Sequence, residues 1–485
     1  MKPVFPFLLI FILFCFSCHS PKEIPNVLLI VVDDQGYADM SCTQLADDVQ
    51  TPNIDRLAAS GVRFTQAYAT SPICSPSRAG IATGCYQERW GTFWYGGPGI
   101  HRQEFPTIAE LLAGKGYRTG YIGKVHYGNA DADTSNRSFP LNHGFEYFFG
   151  HTSARKHYFN HHDQLEAAFQ LVKKTYEKDG QSLNQQAMWE NFRKVDTVAF
   201  STELLGKKAV EYLQKHKSEK FFLQLSFNAV HNFTHQLPHE YLTEKGLRGY
   251  HDWDPSTEDY YEWYQAGRKP NNPEGRAQYL GQLYYLDREV GRVMDYLKES
   301  GLDKNTLVIY ISDNGGSTPI YANNTPLRGS KYVLYEGGIR VPMIISWPGN
   351  FLRGAVNDQV VSSMDILPTI CKAVEIPVPQ VVDGRDMTAL LSGFSTQNTH
   401  DTLFWDTGVE TAVRAGKWKL RSATKDNHAK YEMVELELGE FLYNLEKDPG
   451  ETENLIAIYP EVYQKLKAAH IRWRENILSL HPALH

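Results

Sequence analysis

Positive charge is not in excess in this chain. Lys and Arg number 49 against 56 Asp and Glu, and the formal net charge is −7. No basic run stands out. That excludes the electrostatic footprint of a nucleic-acid binder. It leaves room for a local basic pocket that takes a small anion. Cysteine is also scarce, with six in 485 residues. Cys15, Cys18, Cys42, Cys74, Cys85 and Cys371 are too widely spaced for a dense disulfide framework or a zinc site. A Cys42–Cys85 bridge stays open; Cys85 and Cys371 otherwise read as small buried hydrophobes. There are no internal repeats and no long low-complexity linker. Beyond the N-terminal segment no run is apolar enough to span a membrane. What remains is an ordinary globular composition, long enough for a large core and more than one hydrophobic unit.

The one long apolar run opens the chain: "MKPVFPFLLIFILFCFSCHS". Lys2, an apolar stretch and then small and polar residues read as a signal peptide over residues 1–17. It is too short and wrongly flanked for a transmembrane helix. Ser17-Cys18 resembles a bacterial lipoprotein cleavage site, with Cys18 as the lipidated first residue. The expectation is an exported protein, in the periplasm or at the cell surface. It would touch the membrane only through a lipid anchor on Cys18.

Further on, apolar strands and helices alternate. "IPNVLLIVVDD" reads as a buried parallel strand whose carboxyl end carries Asp33 and Asp34. "TIAELLAGKGYRTGYIGKVH" is a helix, a Gly turn and a strand reaching Lys124 and His126. "KFFLQLSFNAVH" is a strand leading to His231, and "NTLVIYISDNGG" one leading to Asp313 and Asn314. This predicts a large, mixed but mostly parallel α/β sheet sandwiched by helices, over residues 25–375. After residue 376 the pattern predicts a smaller α+β subdomain to residue 485: antiparallel strands, among them "MVELELGEFLYNL", and a closing helix. Residues 150–200 and "LRGYHDWDPSTEDYYEWYQAGRKPNNP" break the alternation and read as insertions.

Four strands deliver acids, a lysine or histidines to one edge of the sheet, where ligands bind in open α/β folds. Singly, each reads as a solvated loop residue or a helix cap. Together, Asp33, Asp34, Asp313 and Asn314 are hard oxygen ligands that suit Ca²⁺ or Mg²⁺.

Cys74 lies in "SPICSPSRAG", as Cys-x-Pro-x-Arg ending at Arg78. This string resembles the signature of the formylglycine-dependent sulfatases, in the alkaline-phosphatase superfamily. The likeness runs along nearly the whole mature chain. It includes "TPNIDRLAASGVRFTQAYA", "GYRTGYIGKVHYG", "ISDNGG", "LRGSKYVLYEGGIRVP" and the C-terminal "LYNLEKDPGETENL". The resemblance implies an alkaline-phosphatase-like fold and hydrolysis of sulfate monoesters. It implies that a maturation enzyme oxidises Cys74 to an aldehyde, both nucleophile and metal ligand. Asp33, Asp34, Asp313 and Asn314 would hold one cation, and Arg78 would position the hydrated aldehyde. Lys124 and Lys331 would bind sulfate oxygens, His126 would assist regeneration, and His231 would protonate the leaving group with Lys331 nearby. The chemistry is consistent: fixed cations stabilise the charge that grows on sulfate oxygens, and a sugar alkoxide needs a proton to leave.

The insertions would line the mouth. Trp94, His101, Arg102, Arg155, His157 and His235 are candidate substrate residues, since aromatic faces suit sugars and Arg or His suit sulfates and carboxylates. The implied substrate is a sulfated sugar from an algal polysaccharide, a glycosaminoglycan or a mucin. Two alternatives stay open: a phosphonate monoester or phosphodiester hydrolase of the same superfamily, and a catalytically silent glycan-binding lipoprotein.

Overall fold

The computed structural model describes residues 23–128, 133–152, 158–159, 188–195, 199–249, 257–426 and 433–479. Its centre is the strand Asn26–Val32, all seven residues of which are buried. Period-two alternation sends Val27, Leu29 and Val31 into one core and Leu28, Ile30 and Val32 into another, on opposite faces. A strand apolar on both faces sits only in mid-sheet with helices above and below. The first core is closed by the helices Cys74–Thr83, Ile108–Gly114 and Ile366–Ala373. The second is closed by Pro52–Ser60, Ser201–Lys215 and Gly275–Glu299.

Ten strands form this sheet among the described residues. Its middle is Thr306–Ser312, Asn26–Val32, Phe221–Ser226, Arg118–Lys124 and Tyr147–His151, all mutually parallel. Antiparallel pairing appears at both flanks, at Met343–Ser346 and at the hairpin Met188–Glu190 with Arg193–Val195. The sheet is therefore mixed and mostly parallel, as the alternation predicts. Register aligns the carboxyl ends: Val32 pairs with Ser312, and Gly123 and Val31 both pair with Ser226. Gly123 is required there, because a Cβ would stand 1.8 Å from the Ser226 carbonyl oxygen.

The C-terminal region holds a four-stranded antiparallel sheet, Thr402–Asp406, Glu410–Ala415, Trp418–Ala423 and Gly439–Asn444, with the helix Pro460–Ser479. In "MVELELGEFLYNL" only Gly439–Asn444 joins that sheet; Met433 and Leu438 before it are exposed.

Cys42, Cys74, Cys85 and Cys371 are all free, so the open Cys42–Cys85 bridge is not made. The Cys85 thiol instead faces the carbonyls of Thr83 and Val381, each at 3.4 Å. No described helix is long and apolar enough to cross a membrane. The signal segment and Cys18 lie outside the described residues.

Candidate active site

The aligned strand ends bring the charged residues together. Backbone bonds stitch the loops: Asp33 N–H donates to Ala229 O at 3.0 Å, Val230 N–H to Asp33 O at 2.8 Å, and Asp313 N–H to Val32 O at 2.9 Å. Ligand-type atoms of Asp33, Asp34, Cys74 and His231 then lie within 4.8 Å of one another, all buried. Cys74 occupies the first turn of the helix Cys74–Thr83, and Ile73 before it offers no side-chain cap. The unpaired amides of that turn favour an anion.

Cations interleave with the acids. Lys124 Nζ bonds to Asp33 Oδ2. Lys331 Nζ is 2.8 Å from both oxygens of Asp34. Arg78 donates through Nε to Asp313 Oδ2 at 2.7 Å and through Nη1 to Lys124 O at 3.0 Å. Asn314 Nδ2 donates to Asp34 Oδ1 at 2.8 Å, and His231 Nε2 is 3.6 Å from Asp34 Oδ2. Asp34, His126 and Tyr332 take left-handed backbone, with φ of 61°, 52° and 80°. Such geometry outside glycine collects at functional sites.

Burial dominates the titration of this cluster. It raises Asp34, and it raises Asp313 to about 7 against the pull of Arg78. It would raise Asp33 too, but Lys124, His231, Arg78 and Lys331 together hold that carboxyl well below its usual range. The Cys74 thiol is pushed up by burial. His126 and His231 are held well below the usual imidazole value, by burial first and then by Lys124 and Lys331 respectively. Burial works against charge on Lys331, yet Asp34 keeps it well above the usual lysine value.

The donor set fits a hard divalent cation. Asp33 Oδ1 and Asn314 Oδ1 are buried with no hydrogen-bond partner, beside the carboxyls of Asp34 and Asp313, which burial raises. Asp313, by contrast, is turned toward Arg78 and the Asp34 amide, which lies 3.3 Å from its Oδ1.

The mouth candidates scatter. The Trp94 ring is 6.3 Å from Tyr332, whose own ring lies 5.5 Å from Lys331 Nζ. His101 is exposed. Arg102 pairs with Glu104 and covers Phe105. His235 is buried against Phe233 and Trp263. Arg155 and His157 lie outside the described residues. Two contributors escape sequence reasoning. Tyr332 follows Lys331 directly, which was a usable signal. Tyr158 sets its hydroxyl 2.7 Å from His231 O and 3.1 Å from Asn228 O, and nothing in its sequence neighbourhood marks it.

With the geometry in place, likeness to known proteins adds the reaction class. The sulfatase family model matches residues 25–376, and a model described as N-sulphoglucosamine sulphohydrolase, C-terminal, matches residues 330–476. Human arylsulfatase A is 29% identical over 490 aligned positions, covering 91% of this chain and 86% of that protein. Rat steryl-sulfatase is 32% identical, covering 80% and 74%. The solved structure of Ps i-CgsB in complex with k-i-k-neocarrahexaose superposes with a TM-score of 0.74 at 28% identity, covering 93% of each chain. The chain belongs to the sulfatase family and is a sulfuric ester hydrolase.

Proposed function

We propose that this enzyme removes sulfate from a sulfated sugar, using formylglycine made from Cys74 by a maturation enzyme. The observation that carries the reading is the convergence of Asp33, Asp34, Cys74 and His231 within 4.8 Å. The likeness to a structure holding a carrageenan hexaose supports a sugar substrate. Asp33, Asp34, Asp313 and Asn314, with position 74, would hold one Ca²⁺ or Mg²⁺, which polarises sulfate oxygens. Formylglycine at position 74, once hydrated, would supply one hydroxyl to attack sulfur as the S–O bond to the sugar oxygen breaks, and a second whose deprotonation would re-form the aldehyde and release sulfate.

The chain's own residues do the rest. Lys124 and Lys331 bind sulfate oxygens from two sides, each already oriented by an aspartate. Arg78, locked between Asp313 and the Lys124 carbonyl, fixes the nucleophile's helix against the sheet edge. His126, neutral and with a buried Nδ1 that has no partner, takes the proton during regeneration. His231 stands on the leaving-group side. It is neutral in the free site, and an entering sulfate anion favours its charged form. Lys331, charged and nearby, is the second donor there. The protein is exported to the periplasm or cell surface and anchored through lipid on Cys18.

Turnover of aryl sulfate against aryl phosphate on one preparation tests this. Sulfate should be preferred, and the preference should vanish in Cys74→Ala. A preference for phosphate esters would replace the reading with a phosphonate or phosphodiester hydrolase. No turnover of either by aldehyde-bearing protein would leave a silent glycan binder.

A further inference from the structure

A second set of buried charges lies where the C-terminal sheet meets the loop that carries Lys331. Lys419, on the strand Trp418–Ala423, places Nζ 3.0 Å from Glu336 Oε1 and 2.9 Å from Glu451 Oε1. All three residues are fully buried. Glu336 also accepts from the Tyr68 hydroxyl at 2.6 Å. Glu451 uses its other oxygen to accept the Glu336 backbone N–H at 2.6 Å. Beside it, Glu410 accepts the Leu334 N–H at 3.0 Å and pairs with Arg421. Two carboxylates of the C-terminal region thus bind two amides of one loop, three and five residues beyond Lys331.

The same loop is tied to the reaction site at its other end. Lys331 N–H donates to Gly316 O at 3.2 Å, and Tyr332 N–H to Pro72 O at 2.9 Å, two residues before Cys74. Short contacts also close the loop on itself. Gly337 N–H closes the loop onto Arg328 O at 2.7 Å, and a Cβ on Gly338 would stand 2.0 Å from Val333 O. In so closely packed a segment, a shift at Glu336 would reach Lys331. A buried charge stripped of its partner forces such a shift.

We propose that Lys419 and Glu451 are positioning residues for sulfate binding: they hold loop 328–339 so that Lys331 meets the substrate. This rests on the reading of Lys331 as a sulfate-binding lysine. It gives a role to "LYNLEKDPGETENL", the C-terminal motif that contains Glu451 and that the reaction chemistry leaves unused. It also makes the C-terminal sheet part of the site without any of its residues touching substrate.

The test uses the full matured enzyme and inorganic sulfate as the probe. Its inhibition constant against an aryl sulfate is measured with kcat, KM and the thermal midpoint, well below each midpoint. Lys419→Met and Glu451→Gln should each weaken sulfate inhibition about tenfold, with KM rising in step, as loss of an outer partner that orients a ligand does. Lys331→Ala is the reference. Arg474→Met is the structural control, since it breaks the 3.1 Å Arg474–Asp406 pair elsewhere in the C-terminal region; it should shift the midpoint alone. If Lys419→Met does not fold, Glu451→Gln decides, read above pH 7 where the Glu451 carboxyl is ionised, because it keeps the shape and removes only the charge facing Lys419. Unchanged sulfate inhibition in the folded variants, with Lys331→Ala still impaired, overturns this proposal alone. Unchanged inhibition in Lys331→Ala overturns the reading of Lys331, and the proposal with it.

Discussion

Lys124 and Arg102 are both cations paired with a carboxylate, yet they live in different physics. Lys124 ends a central strand, is fully buried, and bonds to Asp33. Arg102 sits on a loop, is partly exposed, and pairs with Glu104 two residues away. The same contrast separates Asp33, Asp34, Asp313 and Asn314 from Trp94 and His101. A rigid sheet edge fixes its side chains before substrate arrives, so their interactions act at full strength in a low dielectric. Loop residues satisfy one another locally and are screened by water. The proposed chemistry rests on the edge, and the proposed choice of sugar on the mouth.

That contrast can be broken most directly at the nucleophile. Cys74→Ala should cut sulfate-ester turnover by about five orders of magnitude while far-UV circular dichroism and the thermal midpoint stay near wild type. Retained turnover would move the chemistry away from the edge. Next in size is the cation. Dialysis against a chelator should lower kcat at least about a hundredfold, with recovery on adding Ca²⁺. Full activity in the metal-free protein would leave the orphaned Asp33 and Asn314 oxygens without an explanation.

A smaller effect sharpens the role of the C-terminal seam. Burial raises Glu451 to about 7 although Lys419 opposes it, while Lys419 and Arg414 hold Glu336 at about 2 against its own burial. A carboxyl raised in the folded state binds its proton more tightly there than in the unfolded chain. Its stabilisation is therefore complete below about 4.5 and lost as pH rises toward about 7. Glu336 has the opposite sign and loses its contribution only as pH falls from about 4.5 toward about 2. Across pH 4.5 to 7 the thermal midpoint of wild type should decline relative to that of Glu451→Gln, since His126, His231 and Asp313 contribute equally to both. A parallel decline in the variant would assign it to other groups. Smallest of all, Trp94→Ala, at a half-buried loop position, and His101→Ala, at an exposed one, should each change aryl-sulfate kcat/KM by less than about threefold. A large loss at either would bring the mouth into the chemistry.

Much of the edge was readable in the sequence because one pattern repeats. An apolar run that a sheet must bury is followed at once by polar residues that water or a ligand must satisfy. "VLLIVVDD" and "LVIYISDN" carry that pattern without any outside knowledge. Lys331 did not, and Lys124, though read at a strand end, was as a single lysine indistinguishable from surface charge until its motif context singled it out. The seam was invisible. Glu336 and Glu451 are 115 residues apart and meet through Lys419 on a third segment. No local periodicity reports such a contact. The Cys42–Cys85 bridge was open on spacing alone, and the fold closes it by giving Cys85 its own carbonyl neighbours.

Whether Cys74 is the precursor of the nucleophile can be read from a single peptide. The tryptic peptide "FTQAYATSPICSPSR", Phe64 to Arg78, should be weighed from protein produced with an active maturation enzyme. A precursor role requires the mass of the aldehyde at position 74 and capture by a hydrazide reagent. An unmodified thiol, in protein that nonetheless hydrolyses sulfate esters at full rate, would contradict it.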